Sequence, residues 1–346
     1  MSIVNYQLTK WLVIFTTYYV LVHKSKAEGS NYWVFGYFIG KRYIGIFLDP
    51  VLACNFRCKM CYFSDKQKRK SLRGTLKYEE IEAIAGSLFH RALKLQVGCG
   101  AEPTLHKDLV KIIALGKRYN VPYVSLTTNG NLLTKELLAA AVKNGLDELT
   151  LSAHGFTRET YEYLMTNGKF DLFCKLLANV TEIKKQYPQF KLRINYTINN
   201  NNIEELSRIW EVVGDELDIL QLRPIQKIGE SEYQDFDLTN IYARYDAILV
   251  PLIEECRRKH IICLAPDKQN IIVLEENDAD DNSIEKITYC YVSPQECWQD
   301  EFDYRTETFE SYAAAHHMGR KLLWKVFGRK ARRKADVTRK MNYNIK

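Results

Sequence analysis

The run Cys54-Asn55-Phe56-Arg57-Cys58-Lys59-Met60-Cys61 decides how the rest of this sequence is read. It sets three cysteines in a C-x3-C-x2-C spacing directly after the apolar stretch Tyr43-Ile44-Gly45-Ile46-Phe47-Leu48. Cysteines this close together, on a loop leaving a strand, can converge on one small inorganic body. A [4Fe–4S] cube is normally held by four cysteine thiolates, so three leave one iron open to another ligand. A structural zinc site wants four protein ligands, with Cys or His partners at short spacings. The nearest downstream histidine, His90, lies beyond a predicted helix, so zinc would need a distant fourth ligand. Burial as three small hydrophobes is the other alternative, and the interleaved Asn55, Arg57 and Lys59 argue against it. The spacing favours a three-cysteine iron–sulfur site over both.

Outward from the cysteines the chain keeps a regular beat. Apolar runs at 44–50, 93–98, 122–127, 147–152, 190–197 and 217–224 read as strands. Helix-like segments at 77–90, 107–119, 134–144, 157–186 and 203–213 lie between them, and Thr134 reads as a helix N-cap. Strands separated by helices pair in parallel through right-handed crossovers. A closed barrel needs eight such units, so six predict an α/β fold with a partial parallel (β/α)6 barrel over residues 43–225. Residues 1–42 form an N-terminal apolar helical extension, 226–310 a small C-terminal α+β appendage, and 311–346 a basic amphipathic tail.

At 346 residues and 46% hydrophobic, the chain can bury such a core and still carry an appendage. Nine cysteines point to a reducing compartment, where thiolates serve metals or catalysis. The net charge of +7 is a tail property: residues 320–346 hold eleven Lys/Arg against the single acid Asp336. The apolar run 11–22 is shorter than the ~20 residues of a spanning helix. A cytoplasmic protein is expected, with membrane-peripheral contact through run 11–22 as the sharper alternative to a docked helix. The tail is read mainly as a docked helix with a solvated basic face. An anionic membrane surface, an acidic partner or nucleic acid are its other readings.

The C-x3-C-x2-C loop after a first strand resembles the radical S-adenosylmethionine (radical SAM) superfamily. The resemblance implies that Cys54, Cys58 and Cys61 hold a [4Fe–4S] cluster whose open iron is chelated by SAM. One-electron reduction then cleaves SAM to a 5′-deoxyadenosyl radical that abstracts hydrogen from a substrate. It implies an electron donor such as flavodoxin or ferredoxin as partner. Where the family usually has an aromatic residue near the adenine, this chain has Met60, whose thioether can also pack on a ring.

In βα folds, ligand contacts come from the C-terminal ends of the strands. After the second strand, Gly98-Cys99-Gly100-Ala101-Glu102-Pro103 resembles the G-G-E-P motif that meets the SAM amino group. Gly98 and Gly100 allow close backbone approach, and Glu102 offers a carboxylate to a cationic amine. The third strand ends in Thr127-Thr128-Asn129-Gly130, with Thr128 and Asn129 bordering the SAM and substrate cavity by the same resemblance. Ser152 matches the position that contacts the SAM ribose. His154 stands where an acidic residue is common; it reads equally as a substrate or proton-transfer group and as a hydrogen-bonded rim histidine. Arg193 and Asn195 alternate onto one face of the fifth strand as polar groups available to SAM or substrate. Gln221 and Arg223 follow on the sixth.

Cys263, Cys290 and Cys297 fall in the appendage, where SPASM and twitch extensions of the superfamily carry an auxiliary cluster. Their spacing fits neither extension well, and Cys263 is flanked by Ile261, Ile262 and Leu264 as in a buried strand. A second Fe–S cluster on these three is the minority reading. Three functions follow. The leading one is a radical SAM enzyme of the oxidoreductase/maturase type acting on a peptide or small metabolite. The alternatives are a radical SAM RNA-modifying methyltransferase and a non-catalytic iron–sulfur or zinc protein with a basic interaction tail.

Overall fold

The computed structural model describes residues 40, 42–227, 231–271, 288–299, 301–327 and 344–345. The apolar run 11–22, with nearly all of the N-terminal extension, and residues 328–343 and 346 of the basic tail lie outside the described residues. The six expected strands are present as β1 (Ile44–Leu48), β2 (Ala92–Val97), β3 (Tyr123–Thr128), β4 (Glu148–Ala153), β5 (Lys191–Ile198) and β6 (Ile219–Pro224). They pair in parallel in chain order. Two more parallel strands come from the segment read as an appendage. β7 (Ile262–Ala265) adds beside β6, and β8 (Tyr289–Val292) adds beside β1 at the opposite edge. A short antiparallel β9 (Asn344–Ile345) borders β7, so the sheet runs β8-β1-β2-β3-β4-β5-β6-β7-β9 and stays open. The segment after 225 thus extends the core sheet at both ends.

The crossovers are amphipathic helices: α1 (Tyr78–Leu88), α2 (Leu109–Arg118), α3 (Lys135–Lys143), α4 (Arg158–Leu164) and α5 (Phe170–Gln186). Thr134 caps α3, its Oγ1 accepting from Leu137 N at 3.2 Å. The helix expected over 157–186 is two helices, because Asn167 takes φ 73° and a Cβ on Gly168 would stand 2.7 Å from Met165 O.

Strand alternation divides the side chains into two sets. Leu95, Val97, Val124, Leu126, Leu149, Leu151, Leu192, Ile194, Leu220 and Leu222 join one core with the helices. Each such burial contributes roughly 1.5–3 kcal/mol. The other face lines the barrel interior and is polar. There the fully buried Glu148 accepts from Arg193 at 2.8 Å, Tyr123 OH at 2.6 Å and Thr150 Oγ1 at 2.8 Å. A carboxylate out of reach of water needs such donors, and this polar interior separates the fold from an ordinary packed barrel.

Candidate active site

The cysteine loop leaves the C-terminal end of β1 and is fastened from two sides. Arg57 N donates to Thr166 O at 2.8 Å and Lys59 N to Leu164 O at 2.9 Å, tying it to the last residue of α4 and the turn that follows. The Arg57 guanidinium donates to the carbonyls of Cys54 and Phe56, both at 2.6 Å. Tyr233 N donates to Lys59 O at 3.0 Å, so the chain after β6 also clasps the loop.

Within the loop, Phe56 N donates to Cys54 Sγ at 3.4 Å and Phe63 N to Cys61 Sγ at 3.5 Å. Burial pushes the thiol of Cys54 up to about 12, with the charges of Glu102 and Cys61 adding to it. Burial also pushes Cys58 well above the ordinary thiol range, again with Cys61 and Cys54 close by. Three close, half-buried sulfurs, two of them with amide donors, are a soft, proton-displaceable ligand set, which fits an iron–sulfur cluster. Among the described residues no three Cys, His, Asp or Glu groups converge on a single ion. A cube does not ask for that, since each cysteine binds a different iron, whereas one zinc draws its sulfurs to bonds of about 2.3 Å.

The second wall is the loop after β2. Gly98 has φ +84°, and a Cβ there would meet Thr127 O at 2.3 Å, so glycine is required. A Cβ on Gly100 would stand 2.3 Å from Tyr62 OH, which donates to Gly100 O at 2.7 Å. Glu102, expected to offer its carboxylate to an amine, is turned inward. Its Oε1 accepts from Thr104 Oγ1 at 2.5 Å and Thr128 Oγ1 at 2.6 Å, and its Oε2 from Asn129 N at 2.9 Å. Burial still raises its pKa, against those donors. Glu102 and Thr128 therefore lock the ends of β2 and β3 together. Asn129 Nδ2 donates to Asn55 Oδ1 at 2.8 Å and carries that lock into the cysteine loop.

Ser152 is half-buried on the interior face of β4, register-paired with Asn195 of β5. Met60 Sδ accepts from the buried Asn199 Nδ2 at 2.9 Å, which links the cysteine loop to the turn after β5. His154 is half-buried, and burial lowers its pKa to about 4, so the ring is neutral. Its Nδ1 accepts from Thr197 N at 3.4 Å, the arrangement of a hydrogen-bonded rim histidine. Arg193, expected to face a ligand, is ion-paired with Glu148 and also donates to Gln221 Oε1 at 3.3 Å. The buried carboxylate of Glu148 requires that partner.

Cys263, Cys290 and Cys297 are not brought together as one ligand set. Cys263 lies on β7 and Cys290 on β8, on opposite flanks of the six central strands. Both are fully buried in the core shared with the helices, on the face away from the interior. Cys297 is half-buried and lies near Cys290, bridging to Val292. Alternation decides this: Tyr291 takes the interior face of β8, so its neighbour Cys290 takes the outer one.

Several residues of the site escaped the sequence reading, above all Asp49. It is fully buried immediately after β1 and gathers the loop after β2 and Tyr291 around its carboxylate. Its place at a strand end, five residues before the first cysteine, was the only local signal. Tyr291 and Asn199 carried none, because their partners are distant in the chain.

A parallel α/β sheet with a three-cysteine loop and a glycine loop at adjacent strand ends defines the class of protein. The model of the Radical SAM superfamily matches residues 49–209, and through this core the chain is similar to that superfamily. Members use a [4Fe–4S] cluster and SAM, and these are the cofactors of this core. The chain is 29% identical over 214 residues to a "Probable GTP 3′,8-cyclase" of Sulfolobus acidocaldarius, covering 60% of this chain and 64% of the relative. It is 31% identical over 189 residues to another of that name from Metallosphaera sedula, covering 52% and 56%. The chain therefore spans less than two thirds of these relatives. Among solved structures, Streptococcus suis SuiB bound to S-adenosylmethionine is similar with a TM-score of 0.56 at 14% identity, over 73% of this chain and 59% of that one. That likeness concerns the fold. No helix among the described residues is long and apolar enough to cross a membrane.

Proposed function

We propose that this protein is a radical SAM enzyme in which Cys54, Cys58 and Cys61 hold the cluster. The observation that carries the reading is the placement of three close, half-buried thiols beside the Gly98–Glu102 loop, at the C-terminal ends of β1 and β2. The bound cofactors supply hydrogen abstraction from an unactivated C–H bond, and the protein binds and orients them. Gly98 and Gly100 let the loop backbone approach the ligand. Glu102, Thr128 and Asn129 hold the β2 and β3 ends in register with the cysteine loop. Ser152 faces the interior as a hydroxyl partner for the ribose, and Met60 is held by Asn199 as the apolar neighbour of the base. The sheet and helices exclude water from the reacting centre.

The substrate class we favour is a small, nucleotide-like metabolite. Its support is the sequence similarity to probable GTP 3′,8-cyclases across the core. A peptide substrate rests on likeness of fold to SuiB, which is 14% identical, and fold alone does not carry substrate choice. A low-potential donor such as flavodoxin or ferredoxin is the partner the chemistry needs.

The test is anaerobic reconstitution with iron and sulfide, then SAM and dithionite, with 5′-deoxyadenosine followed by chromatography. Wild type is expected to form it and Cys58→Ala is not. A fully loaded wild type that neither binds nor cleaves SAM would refute the reading.

A further inference from the structure

We propose that Asp49 is a positioning residue for the amino-acid end of SAM, acting through the backbone of the Gly98–Glu102 loop; the proposal rests on the radical SAM reading. Asp49 is fully buried, and no cation stands in ion-pair contact with it among the described residues. Burying a lone carboxylate is costly unless hydrogen bonds replace its water. Here the backbone supplies most of them. Asp49 Oδ1 accepts from Cys99 N at 2.7 Å and, at a longer 3.4 Å, from Ala101 N. Its Oδ2 accepts from Gly100 N at 2.9 Å and from Tyr291 OH at 2.8 Å.

In a trans peptide the N–H and C=O point in opposite directions. Turning the amides of Cys99 and Gly100 onto Asp49 therefore turns the carbonyls of Gly98 and Cys99 away from it. The Gly100 carbonyl is already taken by Tyr62 OH at 2.7 Å, and that of Gly98 accepts from Gln96 Nε2 at 3.0 Å. The Cys99 carbonyl accepts no hydrogen bond from the described residues, so it and the second lone pair of Gly98 O are the acceptors left for a ligand. A carboxylate on the N–H side of a peptide also polarises its carbonyl, because linked hydrogen bonds strengthen one another. The result is a pair of enriched acceptors suited to an ammonium group. The loop cannot turn back: Gly98 is held at φ +84°, and Glu102 N donates to Ala53 O at 2.9 Å.

Tyr291 makes this arrangement non-local. It belongs to β8, whose backbone also meets Asp49, with Asp49 N donating to Val292 O at 2.8 Å. The strand from the C-terminal segment thereby joins the site at the ends of β1 and β2.

The test compares cluster-loaded wild type and Asp49→Asn, titrated anaerobically with SAM and separately with 5′-methylthioadenosine. The second ligand keeps the nucleoside and lacks the ammonium. The side-chain amide of the variant sets an NH2 against a backbone N–H, so the loop loses its alignment. The SAM Kd is expected to rise about tenfold or more, as for other outer partners of a cofactor site. The 5′-methylthioadenosine Kd should stay within about twofold, less than 0.5 kcal/mol, with iron content unchanged. Equal SAM affinity in both proteins, or equal weakening for both ligands, overturns the proposal and leaves the enzyme reading standing. Wild type that fails to bind SAM overturns the enzyme reading and this one with it. If Asp49→Asn does not fold or load, Tyr291→Phe decides: selective weakening of SAM supports the proposal, and unchanged SAM affinity overturns it.

Discussion

Glu148→Gln removes the charge at the centre of the barrel interior and keeps the shape of the side chain. The carboxylate is fully buried, and burial alone would raise its pKa. Arg193 and Lys94, with hydrogen bonds from Arg193 and Tyr123, outweigh burial and hold it down at about 2 against an ordinary 4.5. That depression corresponds to about 3 kcal/mol of folded-state stabilisation at neutral pH. Breaking a buried ion pair by removing one partner costs about 3–5 kcal/mol in general, a range that includes this value. The variant removes the ion-pair partner of Arg193, which also donates to Gln221 Oε1 at 3.3 Å. Urea denaturation at pH 7, monitored anaerobically by fluorescence, should place Glu148→Gln about 3 kcal/mol below wild type. The pH dependence has a definite sign. Between 4.5 and about 2 the unfolded carboxyl binds a proton that the folded one does not. Acid therefore favours unfolding of wild type, and its advantage over the variant shrinks as the pH falls through that window. A variant within about 0.5 kcal/mol of wild type at pH 7, the size of an ordinary surface substitution, would refute the reasoning. So would a gap that stays constant from pH 7 to 3.

Gly98→Ala should cost about 1–2 kcal/mol from its left-handed backbone alone. The clash with Thr127 O adds to this, and SAM titration should show affinity lost ahead of global stability. Cys290→Ala should leave the iron content of the reconstituted protein unchanged and lower its denaturation midpoint, since Cys290 is buried in the helix-side core. Loss of iron in that variant would make Cys290 a ligand. His154, neutral with a pKa lowered to about 4, should contribute no ionisation between pH 6 and 8. The pH profile of 5′-deoxyadenosine formation should therefore be the same for wild type and His154→Gln across that range. An inflection near 6.5 present only in wild type would contradict the assignment.

What the sequence determined by itself is what depends on neighbours in the chain. The cysteine spacing, the Gly98–Glu102 loop and the alternation of apolar runs with amphipathic stretches are local, and each survives in the structure at its expected place. They were enough for the parallel sheet, its order from β1 to β6 and the strand ends from which the cysteine and glycine loops leave. Only the tertiary structure decided where the polar side chains point. Glu102 and Arg193 looked available to ligands, yet the low-dielectric interior requires partners for every buried charge. The donors of Thr104, Thr128 and Asn129 and the carboxylate of Glu148 meet that need. Cys263 and Cys290 are a plausible pair of ligands in one dimension, and pleating at opposite flanks of the sheet turns both into core. The partnership of Asp49 with Tyr291 spans 242 positions. No local pattern encodes it, because only the parallel pairing of β8 with β1 brings the two residues within a hydrogen bond.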